Sequence, residues 1–330
     1  MTSPGGPAAS LPAGVYRGPK VDVTAVEAYE AFLGHPVGWV LAFAADTPAS
    51  WAQFETATLA ASTGGPAGTQ TAGDWVPLLG GRNLMLSVPA CCFGSTWATE
   101  GSGVNDQHWA ALARNLATAG LGGCALRIGR EFNGGWYRWK VTPANSAAYL
   151  TAYPRIVSVM RNAGFTGPFI WNPYIGQGTF GPNAGVENVY PGDGCVDVIG
   201  VDLYDGPSPS YPAGEVIRTP AAQQAVWGTF LNQWDGLTGW RNLAVSHGKP
   251  LAYPEWGLRL WNDGALYQGG GDNPFFVGEM AAWLLDTGAW MHGFWEDPDR
   301  GVADPDGNPG RQVAAPEARL AFLGAFGALR

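Results

Sequence analysis

Short apolar runs alternate with alanine-rich stretches of helical period eight times along this chain of 330 residues, and few folds satisfy that rhythm. The runs expected as strands cover 14–16, 37–43, 83–88, 124–131, 168–172, 196–204, 250–255 and 290–295. Helical stretches lie between them at 23–33, 50–60, 106–119, 144–163, 221–246 and 274–285, with a last one at 316–323 and a short fifth crossover near 187–190. Asn105 or Asp106, and Asn273 before Pro274, suit helix starts, while Gly120, Gly164 and Gly248 suit helix ends. Eight strand-then-helix units in a chain of this length fit a closed (β/α)8 barrel better than an open doubly wound sheet. No GxGxxG or P-loop pattern opens a crossover helix, which argues against a nucleotide site. Without a linker to divide it, the chain reads as an arm over 1–13 and one barrel domain over 14–330.

In such a barrel the chemistry sits where strands end. The polar residues at those ends are Asp46, Glu131, Asn172, Tyr204 with Asp205, Glu255, and Glu296 with Asp297. Glu131 stands out, because ALRIGREFNGGWYRW surrounds one carboxyl with Arg127, Arg130, Asn133, Trp136, Tyr137 and Trp139. A sugar offers hydroxyls to planar polar groups and C–H faces to indoles, and glycosidic cleavage needs a proton donor and a second carboxylate. Glu255 in LAYPEWG is that second carboxylate, expected about 5 to 5.5 Å from the first. Strand alternation puts Ala125, Arg127, Gly129 and Glu131 on one face, Val198, Gly200, Asp202 and Tyr204 on another, and Leu251, Tyr253 and Glu255 on a third. Arg127 beneath the pair and the Tyr204 hydroxyl beside it favour an ionised Glu255. Trp171, Trp256 and Trp295 stand at or beside strand ends and are expected to line a sugar site, whereas Trp39 and Trp290 lie mid-strand and read as core.

Composition narrows the class. Charged residues are 14% of the chain, against roughly 25% in an average domain, and the net charge is −9, so nucleic acid is excluded as a partner. Sixteen Trp exceed what a core this size requires and favour stacking surfaces. The four His and the four Cys show no metal-ligand spacing, so no metal or organic cofactor is expected; the cysteines read equally as one disulfide or as buried thiols. No apolar run reaches the roughly 18 residues of a membrane span, and the first residues lack the pattern of a signal peptide. The expected place of action is nonetheless outside the cell or at its envelope, on a polysaccharide or oligosaccharide.

LRIGREFNGGWYRW around Glu131, WNP at Trp171, YPGDGCVDVIGVDLYD ending at Asp205 and YPEWG around Glu255 together resemble glycoside hydrolase family 26, the β-mannanase family of the large retaining (β/α)8 clan. The resemblance implies Glu131 as acid/base and Glu255 as nucleophile. It also implies Tyr204 and Arg127 as supports of the nucleophile, and Trp136 and Trp295 as the lining of the subsites around the cleaved bond. Arg130 departs from it, standing where the family usually has His; a fixed cation there is expected to lower the acid's pKa. The activity implied is endo-hydrolysis of a β-linked polysaccharide, mannan first and β-glucan or xylan behind it. A carbohydrate-binding barrel without catalysis in a surface or phage-like assembly, or the same chemistry on a bacterial envelope glycan, are the alternatives.

Overall fold

The computed structural model describes residues 8, 10–18, 21–56, 58–60, 70–176, 178–181, 185–206, 211, 219–260, 269–297, 301–302 and 315–328. Of the stretch expected as an arm, residues 1–7 and 9 lie outside the described residues; Ala8 is buried and its N–H donates to the Ala325 carbonyl.

Eight parallel strands close on themselves: β1 (Ala13–Tyr16), β2 (Trp39–Phe43), β3 (Asn83–Val88), β4 (Ala125–Ile128), β5 (Phe169–Trp171), β6 (Val198–Gly200), β7 (Leu251–Gly257) and β8 (His292–Trp295). Neighbours in sequence pair in parallel, and β8 pairs with both β7 and β1, Gly14 opposite Gly293. Their inward side chains begin with an apolar floor of Leu41, Met85, Ala125, Ile170, Val198, Ala252 and Met291. Closure brings backbones close: a Cβ on Gly293 would sit 2.2 Å from the Pro254 carbonyl oxygen. The outward side chains of the same strands join the helical layer in one large cluster.

The crossovers follow the sequence closely in some places and depart in others. Helix Val23–Leu33 starts where Asp22 accepts from the Ala25 N–H and stops at Gly34, whose φ of 82° admits no side chain cheaply. Helix Pro274–Thr287 starts as its capping Asn273 requires. The stretch 221–246, expected as one helix, is two, Pro220–Asn232 and Leu237–Ser246, because the chain turns at Asp235 with φ 55°. Outside the expected pattern lie helix Ala72–Leu79, helix Trp97–Ser102, the 3-10 turn Gly178–Phe180 and an antiparallel pair of short strands, Thr58–Ala60 with Gln70–Thr71. The fifth crossover is a 3-10 turn, Val186–Val189. All four cysteines are buried free thiols.

Candidate active site

Arg127 organises the barrel mouth. It is the third residue of β4, fully buried, and its donors reach four neighbouring strands or strand ends. Nε donates to Ser87 Oγ at 2.8 Å, Nη1 to Asn172 Oδ1 at 2.9 Å and to Asp202 Oδ2 at 3.0 Å, and Nη2 to Glu255 Oε1 at 2.5 Å. Burying a guanidinium costs several kcal/mol unless it is paired and bonded, and here it is both.

Glu255 reaches this girdle through an irregularity. Leu251 and Tyr253 face the helices, Tyr253 accepting from the Trp283 indole N–H, and strict alternation would send Glu255 the same way. The pairing of β7 with β8 shifts register between Tyr253 and Trp256, and this bulge at Pro254 and Glu255 turns the carboxylate inward. The expected common face of Leu251, Tyr253 and Glu255 is thus corrected. Glu255 Oε2 accepts from the Tyr204 hydroxyl at 2.8 Å, and its N–H donates to Asp202 Oδ1 at 3.0 Å.

Glu131 also lies off its strand. β4 ends at Ile128, and Gly129 and Glu131 then take φ of 60° and 48°. A non-glycine residue in that region carries strain, here held by Glu131 N–H to the Asn172 carbonyl at 2.7 Å and by Trp139 Nε1 to the Arg130 carbonyl at 2.8 Å. One carboxylate oxygen from each of Glu131, Asp202 and Glu255 lies within 4.8 Å of the others. Among the described residues these three are the carboxylates spaced to gather round a cation, but the Arg127 guanidinium already bonds two of them. Burial, reinforced by the Glu255 charge, pushes the Glu131 carboxyl up to about 7, against the Trp136 N–H bond and the charges of Arg130 and Arg127. Arg130 therefore pulls in the direction expected of it and is outweighed. Its guanidinium sits over Phe43 at 4.6 Å and Tyr137 at 4.7 Å, with Trp139 stacked on Tyr137 at 4.4 Å.

A match to the model of glycosyl hydrolase family 26 covers residues 108–219, the segment that carries Arg127, Glu131, Asn172, Asp202 and Tyr204. Over that segment the chain is similar to glycosyl hydrolase family 26. It is a glycoside hydrolase, and Glu255, outside the matched segment, comes to the same site by the fold. No curated protein matches the sequence significantly. In structure the chain is similar to an endo-β-1,4-mannanase double mutant from Cellulomonas fimi (17% identity, TM-score 0.62, 97% of this chain and 72% of that one). It is also similar to a family 26 β-mannanase from Bacteroides ovatus (15%, 0.56, 96% and 88%) and to a Bacillus subtilis mannanase (14%, 0.53, 95% and 86%). At such identities these likenesses establish the fold.

The remaining expected residues divide. Trp136 is 57% exposed, donates from Nε1 to Glu131 Oε2 at 2.7 Å and meets Tyr174 edge-on at 5.3 Å, so it offers a ring face beside the carboxyl. Gly134 makes that pose available, since a Cβ there would lie 2.4 Å from the Trp136 ring. Trp295, partly exposed, stacks on Tyr16 at 3.6 Å and meets Tyr204 edge-on at 6.2 Å. Trp171 and Trp256 are placed differently from the expectation. Both are wholly buried in the helical layer, Trp171 against Phe132 and Trp240, Trp256 against Phe294 and Phe322, because their positions on β5 and β7 point outward. Asn133 spends its amide on backbone, donating to the Tyr174 and Gly176 carbonyls and accepting from the Tyr174 N–H, so it holds a loop. Among the other rim acids, Asp46 pairs with Arg138, Glu296 with Arg17, and Asp205 accepts from Tyr211 and Asn273. Ser87 and Asp202 are site residues that the expected set lacked; the inward face of 196–204 carried the signal for Asp202.

Proposed function

We propose that this glycoside hydrolase cleaves internal bonds of a β-mannan with net retention, Glu131 serving as acid/base and Glu255 as nucleophile. The observation that carries the reading is the approach of the two carboxylates, oxygen to oxygen within 4.8 Å, which fits the roughly 5 to 5.5 Å of a retaining pair and falls short of the roughly 6.5 to 9.5 Å of an inverting one. Both oxygens of Glu255 accept from strong donors, the contact set of a carboxylate, while Glu131 keeps a proton near neutrality. Glu131 gives that proton to the glycosidic oxygen as Glu255 attacks the anomeric carbon, and the C–O bond breaks to leave a glycosyl ester. Glu131, now ionised, takes a proton from water; the oxygen attacks the same carbon and Glu255 is released. The mannanases among its structural neighbours point to mannan as the polymer.

The test is product release from galactomannan and glucomannan, followed by NMR of the first anomer formed and labelling with a 2-deoxy-2-fluoromannosyl fluoride. The β-anomer first, a label on Glu255 and an inactive Glu255→Ala variant are expected. An α-anomer first would sink the retaining mechanism, and hydrolysis of glucan or xylan without mannan would sink the substrate.

A further inference from the structure

A cavity of about 600 Å³ lies outside the catalytic mouth, where the chain turns from helix Pro220–Asn232 into helix Leu237–Ser246 and faces the 3-10 turn Val186–Val189. Three kinds of group line it. Trp234 is 57% exposed and presents an indole face that nothing in the fold requires. Trp240 is 1% exposed, and its Nε1 donor, like the Nε2 donor of Gln233, is buried without an acceptor. Such orphans are rare in native proteins, and two of them belong to residues of this one lining. Opposite them, Asp235 and Glu187 share a hydrogen bond; burial first, and that bond with it, pushes Asp235 up to about 7 against the Val186 N–H. The pair can both donate and accept, and no Lys or Arg is among the described residues of the lining.

We propose that this cavity is a second carbohydrate site, one that docks a neutral sugar unit of the polysaccharide on Trp234 with its hydroxyls on Gln233, Trp240 and the Asp235–Glu187 pair. A pyranose ring matches the set: C–H faces for the indole, ring and hydroxyl oxygens for the two unused donors, hydroxyl protons for the carboxylates. An anion is disfavoured by the two acids. The site is tied to the flank of the catalytic mouth through one loop, since Gly176 donates to the Asp235 carbonyl while its own carbonyl accepts from Asn133, and Tyr174 beside it packs against Trp136. The proposal rests on the chain acting on a polysaccharide, and its function would be to hold the polymer near the cleft.

Affinity electrophoresis of the full chain in native gels cast with galactomannan, mixed-linkage glucan or xylan tests it, alongside hydrolysis of mannohexaose. Trp234→Ala should weaken retardation roughly tenfold in any gel that slows the parent, with mannohexaose turnover within about twofold of the parent. Trp240→Phe, which keeps a ring and removes the N–H, should weaken it less. Equal retardation of Trp234→Ala and parent, or a parent slowed by none of the three polymers, would overturn the second site. Retardation that depends on Trp234 without hydrolysis of mannan would uphold it and sink the mannan reading alone.

Discussion

The acid/base chemistry turns on how one carboxyl keeps its proton. Glu131 is pulled down by the Trp136 N–H, Arg130 and Arg127, and burial with the Glu255 charge overrides all three. Trp136→Phe keeps a ring at the mouth and removes the N–H that favours the charged form, so the Glu131 pKa must rise above its value of about 7. On the proposed mechanism the group works as an acid first, so the descending alkaline limb of kcat/KM should move to higher pH. A limb that stays in place, or moves toward acid, would show that Trp136 does not set that proton. The pairing of this carboxyl with an aromatic neighbour was legible in ALRIGREFNGGWYRW, since residue types alone carry it. The balance of opposing fields on it was not, because burial and a partner from β7 enter only with the fold.

At the scale of elements, tryptophans at strand ends look alike in sequence and differ in direction. Trp171 belongs to the outward face of β5 and Trp136 to an exposed loop, so their removal should separate cleanly. Trp171→Ala should cost about 3 to 5 kcal/mol in denaturant unfolding and leave KM unchanged well below the melting temperature. Trp136→Ala should leave stability within about 0.5 kcal/mol and lower kcat/KM. A raised KM in a stably folded Trp171→Ala would contradict its placement in the core. Alternation by two gave the correct inward set for Arg127, on regular β4, and for Asp202, two residues past β6 in a bridge to Tyr174. It failed on β7, where Pro254 accompanies a bulge, and the helical period ran across Asp235 although the Asp235–Gly236 pair marks the turn there.

For the whole molecule, the count of eight units foretold closure, and the helices and strands unaccounted for lie on the crossovers rather than in the barrel. Closure has a thermodynamic consequence, because it holds an acid out of water. Glu131 titrates near 7 folded and near the usual 4.5 unfolded, so between those values the folded state binds more protons and stability falls as pH rises. Below pH 4.5 both states are protonated and the penalty vanishes. Glu131→Gln should accordingly melt higher than the parent at pH 8 and equal to it at pH 4; a variant less stable at pH 8 would refute a strained, proton-holding acid.

On the proposed mechanism, the bulge on β7 bears on how such a barrel can lose its activity. Deleting one residue there would restore an even ladder, carry the carboxylate round to the oily side and leave every recognisable segment of sequence intact. Working and silent relatives of this chain would then differ by a single step of phase, something no tally of shared residues detects.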